Sequence, residues 1–372
     1  MVTSGQKGKP GAGSSAAVIL DVTDVHAAGE IGAERILVVI PTLNEAIAIL
    51  PCLKSLQRDP VLRDPGRCTV VVVDGGSEDD TVAIVQSYAE TAPCAIHVLH
   101  NPDRIQSAGI NLAVAEFGTG FDLLLRCDAH AIYPNDYATA LRTALRADDD
   151  RASVVVAMDS EGRTDFGKAA AWVVDTPLGS GGAAHRGGTR SGYVDHGHHA
   201  MMDLQWFRKV GGYDPSFSHN EDAELDWRLS QAGARIWLAG EVRLGYVMRD
   251  TAAALWRQYL NYGAGRAATL QKHQMRPRLR QMVPVVNLIL CALALLLAPV
   301  WPWVLLWPGV YLGAILAVTA LACLQLGAVG LWSGVALVVM HMGWATGVLR
   351  SAVRYGLRNG QNPSGATQRD GG

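Results

Sequence analysis

Between Met282 and Leu349 the chain carries no Asp, Glu, Lys or Arg, an unbroken run of 68 residues. A helix needs about 20 apolar residues to cross a bilayer. A soluble core helix has no reason to be apolar on every face for so long. The run therefore predicts a membrane protein whose membrane part occupies 282–350 of the 372 residues. Prolines 299, 302 and 308 and the segment 325–330 divide it into stretches of about 283–300, 304–324 and 329–349. Lys272, His273, Arg276, Arg278 and Arg280 crowd the entry, and the positive-inside rule makes that side cytoplasmic. Arg350, Arg354 and Arg358 follow the exit. Three spans would carry them outside; two spans plus a re-entrant or interfacial segment would keep them inside. The expectation is thus two to three spans in a multi-pass protein of the cytoplasmic (inner) membrane, with the preceding domain in the cytoplasm.

The rest of the chain divides around this block. Residues 1–34 are rich in Gly, Ala and Ser and read as a disordered tail that cannot bury a core. Residues 251–281 hold the aromatic and basic series Trp256-Arg257-Gln258-Tyr259, which suits an interfacial helix or linker on membrane lipid. Residues 351–372 read as a C-terminal tail. The net charge of −2 gives no electrostatic footing for nucleic acid. The six cysteines are scattered without a C-x-x-C, as in a reducing compartment.

Residues 35–250 alternate apolar runs of strand length with helical patterns. Ile36–Ile40, Thr69–Val73, Ile96–Leu99, the Leu123–Leu125 run and Val154–Met158 are separated by segments of 3.6-residue periodicity. Continuous apolar strands suit a sheet covered on both faces, so the fold class is α/β, Rossmann-like and doubly wound. In such folds ligands bind beyond the carboxyl ends of the strands.

Chemistry-bearing residues stand at those ends. Pro41-Thr42-Leu43-Asn44-Glu45 follows the first strand, and Asn44 can cap the next helix. Asp74-Gly75-Gly76-Ser77 follows the second; a carboxylate can accept from a base or ribose while glycines admit close approach, and the same segment reads equally as a turn with a solvated acidic cap. Arg104, before the third helix, stands where a phosphate would be favoured, and Asn111 lies on that helix. Asp128 and His130 end the fourth strand, and residues i and i+2 of an extended chain point one way. One carboxylate and one imidazole suit Mn²⁺ or Mg²⁺, with a diphosphate filling the remaining positions. His196, His198 and His199 suggest an acceptor pocket rather than a metal site. Asn220 is a candidate helix cap before Glu221-Asp222, and the helix N-terminus would keep Asp222 ionised, as a general base requires. Arg266, following the aromatic and basic helix, could reach the diphosphate of the donor.

Together these segments resemble the family 2 glycosyltransferases with a GT-A fold, over roughly residues 35–270. Val38–Glu45 is similar to the family's opening motif, and Val73–Thr81 to its Asp-Gly-Ser nucleotide motif. Asp128-Ala129-His130 stands where the family has Asp-x-Asp, and Glu221-Asp222 where it has its Glu-Asp base motif. The wording around Arg126–His130, Val194–His199 and His219–Leu225, with the membrane tail, most resembles the succinoglycan glucosyltransferase branch. Two departures stand out. His130 replaces the second Asp, and the Gln-x-x-Arg-Trp motif of processive synthases is missing, with Tyr262–Arg266 near its place.

The resemblance implies a GT-A domain with a mixed central sheet at 35–250. It implies that Pro41, Thr42, Asn44, Glu45, Asp74, Gly75, Ser77, Arg104, Asn111, Asp128 and Arg266 hold a UDP-sugar. Asp128 and His130 would hold Mn²⁺ or Mg²⁺, and Asp222, with Glu221 beside it, would take the acceptor proton. The implied reaction is inverting transfer of a hexose, glucose by this branch, to a polyprenyl-diphosphate-linked saccharide in exopolysaccharide biosynthesis, giving a β-linkage. Two other readings remain open here: a polyprenyl-phosphate sugar synthase, and a non-catalytic nucleotide-binding membrane scaffold.

Overall fold

Valine-rich and isoleucine-rich runs build the centre of the molecule, because β-branched side chains pack well on a pleated surface covered from both sides. The computed structural model describes residues 34–183, 186, 188, 190–198 and 201–361. The expected tail at 1–33, His199 and residues 362–372 lie outside the described residues. In chain order the first half comprises β1 (Ile36–Thr42), α1 (Ile49–Leu56), β2 (Cys68–Asp74), α2 (Thr81–Ala89), β3 (Ala95–His100), α3 (Gln106–Phe117), β4 (Leu123–Arg126), α4 (Tyr137–Arg146) and β5 (Arg151–Glu161). There follow α5 (Asp165–Val174), α6 (Pro177–Ser180), β6 (Gly192–Val194), β7 (Met201–Asp203), α7 (Leu204–Lys209), α8 (Glu221–Gln231), β8 (Arg235–Val247) and α9 (Ala252–Lys272). Three apolar helices close the described chain: α10 (Leu279–Leu297), α11 (Leu306–Leu326) and α12 (Leu331–Gln361).

The strands form one sheet in the order β3-β2-β1-β4-β7-β5-β8-β6. From β3 to β4 all neighbours are parallel. The short β7 runs antiparallel to both β4 and β5, which makes the sheet mixed. Alternation along β1 shows why both faces are buried. Ile36, Val38 and Ile40 join a core with Leu53 of α1, Val85 of α2 and Leu141 of α4. Leu37 and Val39 join a second core with Ile110 of α3, Phe207 of α7 and Leu225 of α8. With helices over both faces, the open ground is at the strand ends. The loops after β1, β2 and β4 therefore meet beyond their carboxyl ends.

Two stretches, Leu279–Leu297 and Pro302–Tyr355, are long and apolar enough to cross a membrane. The second contains α11 and most of α12, which pack as an antiparallel hairpin: Gly334 of α12 faces Ile315 and Thr319 of α11. Their apolar outer surfaces are exposed, including Leu316, Leu321 and Leu324. The inner side of α12 is not free for lipid. Phe166 and Ala170 of α5 share an apolar cluster with Ala336, Leu337 and Met340. The Trp172 indole donates to Gln325 at 2.8 Å. Further along, α9 lies on α12. Past the expected boundary at 351, α12 continues helical to Gln361.

The α9–α12 crossing is made possible by small residues. A Cβ at Gly347 would collide with the Leu260 carbonyl, and one at Gly263 with the Trp344 carbonyl. Both obstacles are backbone, which cannot swing aside as a side chain can. The spacing Gly343-x-x-x-Gly347 puts both α12 glycines on the side that meets α9. Gly347→Val should therefore force the helices apart at a cost of about 1–3 kcal/mol. We expect the thermal midpoint of the detergent-purified protein to fall by several degrees. An unchanged midpoint would show that this crossing contributes nothing to stability.

Candidate active site

The loop after β1 and the loop after β2 are laced together. Asn44 adopts a left-handed conformation, φ 55°. Its backbone N–H donates to Ser77 Oγ at 2.9 Å, and its side-chain Oδ1 accepts from Glu78 N at 2.8 Å. Glu45 N donates to Thr81 Oγ1. Asn44 thus ties two loops instead of capping α1, whose N-cap is Ala48. The buried Asp74 carboxylate accepts from Gly76 N at 2.9 Å and Ser77 N at 3.1 Å, so it shapes the turn of the loop. Gly76, at φ 87°, has the Arg104 guanidinium directly above it, where a Cβ would lie 2.9 Å from Nη2. Pro41, Thr42, Gly75, Ser77 and Arg104 are therefore gathered around one loop pair. Thr42 itself turns its hydroxyl back to Ile40 O. Asn111 is a different case. Its Nδ2 donates to Tyr213 O at 2.7 Å and its Oδ1 accepts from Tyr213 N at 2.9 Å. Both ends of the amide brace Tyr213.

β4 stops at Arg126. Asp128 to Ala131 form a turn closed by the Ala131 N–H to Asp128 carbonyl bond at 3.2 Å. The convergence of Asp128 and His130 along one face of an extended strand is therefore corrected. Asp128 faces inward and pairs with Arg126 at 3.0 Å, whereas His130 is 62% exposed and meets Glu45 at 3.2 Å. A backbone-to-hydroxyl bond from Asp128 N to Tyr133 Oη, at 2.7 Å, fixes the turn.

Arg126 is the residue that joins the parts. It is 5% exposed at the end of an otherwise apolar strand. One side of its guanidinium holds Asp128, and the other stands 3.6 Å from Asp222 Oδ2. Burial works against its charge, but Asp128 and then Asp222 hold its pKa well above the ordinary arginine range.

Asp222 lies in the first turn of α8 and is 7% exposed. Tyr213 Oη donates to its Oδ1 at 2.9 Å, and His198 Nδ1 donates to its Oδ2 at 2.8 Å. Burial would raise its pKa, yet Arg126, His198 and Tyr213 together hold it far below the usual carboxylate range. Its neighbour Glu221 goes the other way. Burial first, and the Asp222 charge second, push it up to about 7. Two adjacent carboxylates thus have pKa values driven apart by their surroundings, a mark of acid–base sites. Asn220 does not cap α8 with its side chain; it sits at φ 67° and donates instead to Thr269 Oγ1 of α9 at 2.7 Å.

The histidine segment lies against the same helix. His196 approaches Asp226 at 3.4 Å and Gly197 N donates to Asp226 Oδ2 at 3.2 Å. Asp226 is one helical turn beyond Asp222, so residues i and i+2 of the segment meet residues i and i+4 of α8. The His196 and His198 rings touch edge to face, 4.8 Å apart. Burial lowers the His198 pKa, leaving the ring neutral at pH 7.

No group of three or more His, Cys, Asp or Glu side chains among the described residues could hold a metal by itself. The donor set nevertheless fits a hard divalent ion that takes most of its ligands from a substrate. Asp128 offers a carboxylate oxygen, His130 an exposed imidazole, and diphosphate oxygens and water would complete the shell. Arg266 stands at the far end of the chain's catalytic part, on α9. The charges that act on it are Arg278, Arg280 and Asp195.

Sequence reasoning missed Arg126, Tyr213 and Asp226. Arg126 alone left a signal, a charge closing the apolar run Leu123-Leu124-Leu125.

Comparisons with known proteins agree with this geometry. A family profile described as "Glycosyl transferase family 2" matches residues 37–211. The chain is 43% identical over 325 residues to "Succinoglycan biosynthesis protein ExoA" of Rhizobium meliloti (strain 1021), covering 87% of this chain and 96% of that one. Among solved structures it is similar to the mannosyltransferase PcManGT from Pyrobaculum calidifontis, in complex with GDP-Man and Mn²⁺, with a TM-score of 0.56. That match is 19% identical and covers 86% of this chain and 87% of the other, a likeness of fold.

Proposed function

The chain belongs to glycosyl transferase family 2, and we propose that it moves a hexose, glucose, from a UDP-sugar to a lipid-linked saccharide during assembly of a succinoglycan-like exopolysaccharide. Its mixed sheet with one antiparallel inner strand is the GT-A arrangement, and its activity is glycosyl transfer. What lies beyond that is argued from the site. The carrying observation is the buried Arg126, which links the carboxylate beside the nucleotide loops, Asp128, to the carboxylate at the start of α8, Asp222. Donor and acceptor ends of one reaction are thereby fixed to a single rigid group, at the strand ends where ligands of such folds bind.

In this mechanism the paired loops of Pro41–Glu45 and Asp74–Ser77 cradle the uridine, and the Arg104 guanidinium stands over the loop to meet a phosphate. Asp128 and His130 would hold Mn²⁺ or Mg²⁺; such an ion neutralises charge on the departing diphosphate. Asp222 accepts the proton of the acceptor hydroxyl. An acceptor that displaces the His198 or Arg126 contact at Oδ2 gains a hydrogen bond and makes Asp222 more basic. Tyr213, on the other oxygen, keeps the carboxylate aimed during that exchange. A single in-line displacement inverts the anomeric carbon, so an α-linked donor yields a β-linkage. The apolar helices keep the enzyme at the membrane surface, where effective concentration favours a lipid-linked acceptor. The arginines at 276, 278 and 280 support a cytoplasmic side for that surface.

The test is a donor screen. Membranes containing the protein receive UDP- and GDP-sugars, a lipid-linked sugar extract and Mn²⁺ or Mg²⁺, and nucleotide release is followed. We expect UDP release from one donor, dependent on the extract, with a lengthened glycan in the product lipid by mass. EDTA should cut the rate at least ~100-fold, the scale of losing a preorganised partner of developing charge. GDP release would overturn the donor, a sugar on bare polyprenyl phosphate would overturn the acceptor, and full activity in EDTA would remove the metal role of Asp128 and His130.

A further inference from the structure

Three guanidinium groups crowd the junction where α9 gives way to α10. Arg266 projects from α9, Arg278 is the residue at the head of α10, and Arg280 lies in its first turn. Among the described residues one acid stands against them: Asp195 pairs with Arg278 at 2.8 Å. Arg280 spends Nη1 on backbone, donating to Gly181 O at 2.9 Å and Gly182 O at 3.1 Å. The Nε of Arg266 is buried and donates to no group of the described protein. Burial and the charges of Arg278 and Arg280 pull Arg266 below the ordinary arginine range, with Asp195 opposing. An ion-pair network built only for stability would match its charges. This one leaves two positive charges over.

The position gives the surplus a meaning. Gly265, next to Arg266, packs so closely on the start of α8 that a Cβ there would meet Asn220 Cβ at 2.9 Å. The following residues of α8 are Glu221 and Asp222. On the other side, α10 opens with Leu279 and Val283 exposed, and it is long and apolar enough to enter a bilayer. The cluster therefore stands between the acceptor carboxylate and the lipid surface. A diphosphate esterified at both ends carries two negative charges, and arginine forks match phosphate oxygens in pairs.

We propose that Arg266, Arg278 and Arg280 bind the diphosphate of a prenyl-diphosphate-linked acceptor and so hold its sugar within reach of Asp222. The proposal rests on the lipid-linked acceptor argued above, and it moves Arg266 from the donor's diphosphate to the acceptor's. A phospholipid headgroup shares the phosphate chemistry but carries one charge, which the test separates.

The full-length protein in phosphatidylcholine nanodiscs is titrated with radiolabelled farnesyl diphosphate and, in parallel, with radiolabelled UDP. Arg266→Gln and Arg280→Gln should each weaken farnesyl diphosphate at least tenfold and shift UDP less than twofold. Asp195→Asn, which removes the competing acid, should tighten farnesyl diphosphate at least twofold, a gain that misfolding cannot imitate. Unchanged farnesyl diphosphate binding in all three variants overturns the proposal. So does an equal loss of UDP, which returns the arginines to the donor. Loss of the probe when phosphatidylglycerol replaces a third of the lipid assigns the cluster to bulk headgroups, and also overturns it. Binding is read without turnover. A protein that holds the probe through these arginines yet transfers no sugar to a lipid-linked acceptor supports the site and refutes the function proposed above.

Discussion

Asp222→Asn should lower kcat for sugar transfer by about three orders of magnitude, the middle to upper range for a lost general base, while UDP binding persists. Asparagine keeps the shape and the oxygen that Tyr213 reaches, its amide nitrogen stands where Oδ2 faced His198 and Arg126, and the helix start is preserved. What disappears is the only state able to take the acceptor proton. Glu221→Gln should behave differently. With a pKa of about 7, Glu221 changes charge across the working range. Ionised, it offsets the Arg126 charge and makes Asp222 a stronger base, so wild-type activity should rise with pH through about 7. Glutamine imitates the protonated state. The variant should therefore match wild type in acid, lack that rising limb and be about tenfold slower above pH 7. Measured pH–rate profiles decide the roles. If Glu221→Gln is the variant that loses a thousandfold and Asp222→Asn keeps the limb, the two carboxylates exchange parts.

Much of this site was legible in the sequence, and the reasons are local. β1 and β2 are continuous apolar runs bounded by Pro, Gly and acids, so their place and their ends could be read directly. The Asp74-Gly75-Gly76-Ser77 turn and the Glu221-Asp222 helix start follow from the same punctuation. What could not be read depends on partners distant in sequence. β7 is three residues long, too short to show a period, and exists because β4 and β5 pair with it. Tyr213 was a loop residue until Asn111, 102 positions earlier, fixed its backbone. Asp128 and His130 illustrate the opposite failure. Strand alternation was extended to His130, past the true strand end at Arg126, and a turn gave each side chain a separate partner. The apolar block was recognised from its missing charges, but composition could not reveal that α5 and α9 cover one side of α12.

The second large effect concerns Glu224, which anchors α8 to the end of α9. Its side chain is fully buried and receives Arg228, Lys272 and His273. Arg228 binds both oxygens, at 2.7 to 3.0 Å, while Lys272 Nζ and His273 Nε2 meet Oε1 at 2.6 and 2.9 Å. Glu224→Ala leaves two cations and a histidine without their common partner. Breaking a buried pair costs about 3–5 kcal/mol; about 3 is expected here, because Lys272 reaches solvent and keeps Asp214. Burial opposes ionisation of Glu224, but Arg228, Lys272 and His273 outweigh it and lower its pKa. A carboxylate with a depressed folded pKa adds stability above its unfolded value, near 4.3, and loses it as pH falls through the folded value. The wild-type thermal midpoint should therefore hold from neutral pH to about 5 and drop below that, with Glu224→Ala lower throughout and less steep in acid. Parallel acid limbs in the two proteins would show that Glu224 is not the group that titrates. The anchor also bears on catalysis, because the helix it pins is the one that carries Glu221 and Asp222. Loosening α8 should lower kcat more than it raises KM for UDP-sugar, since the donor loops lie on β1 and β2 and do not depend on this contact.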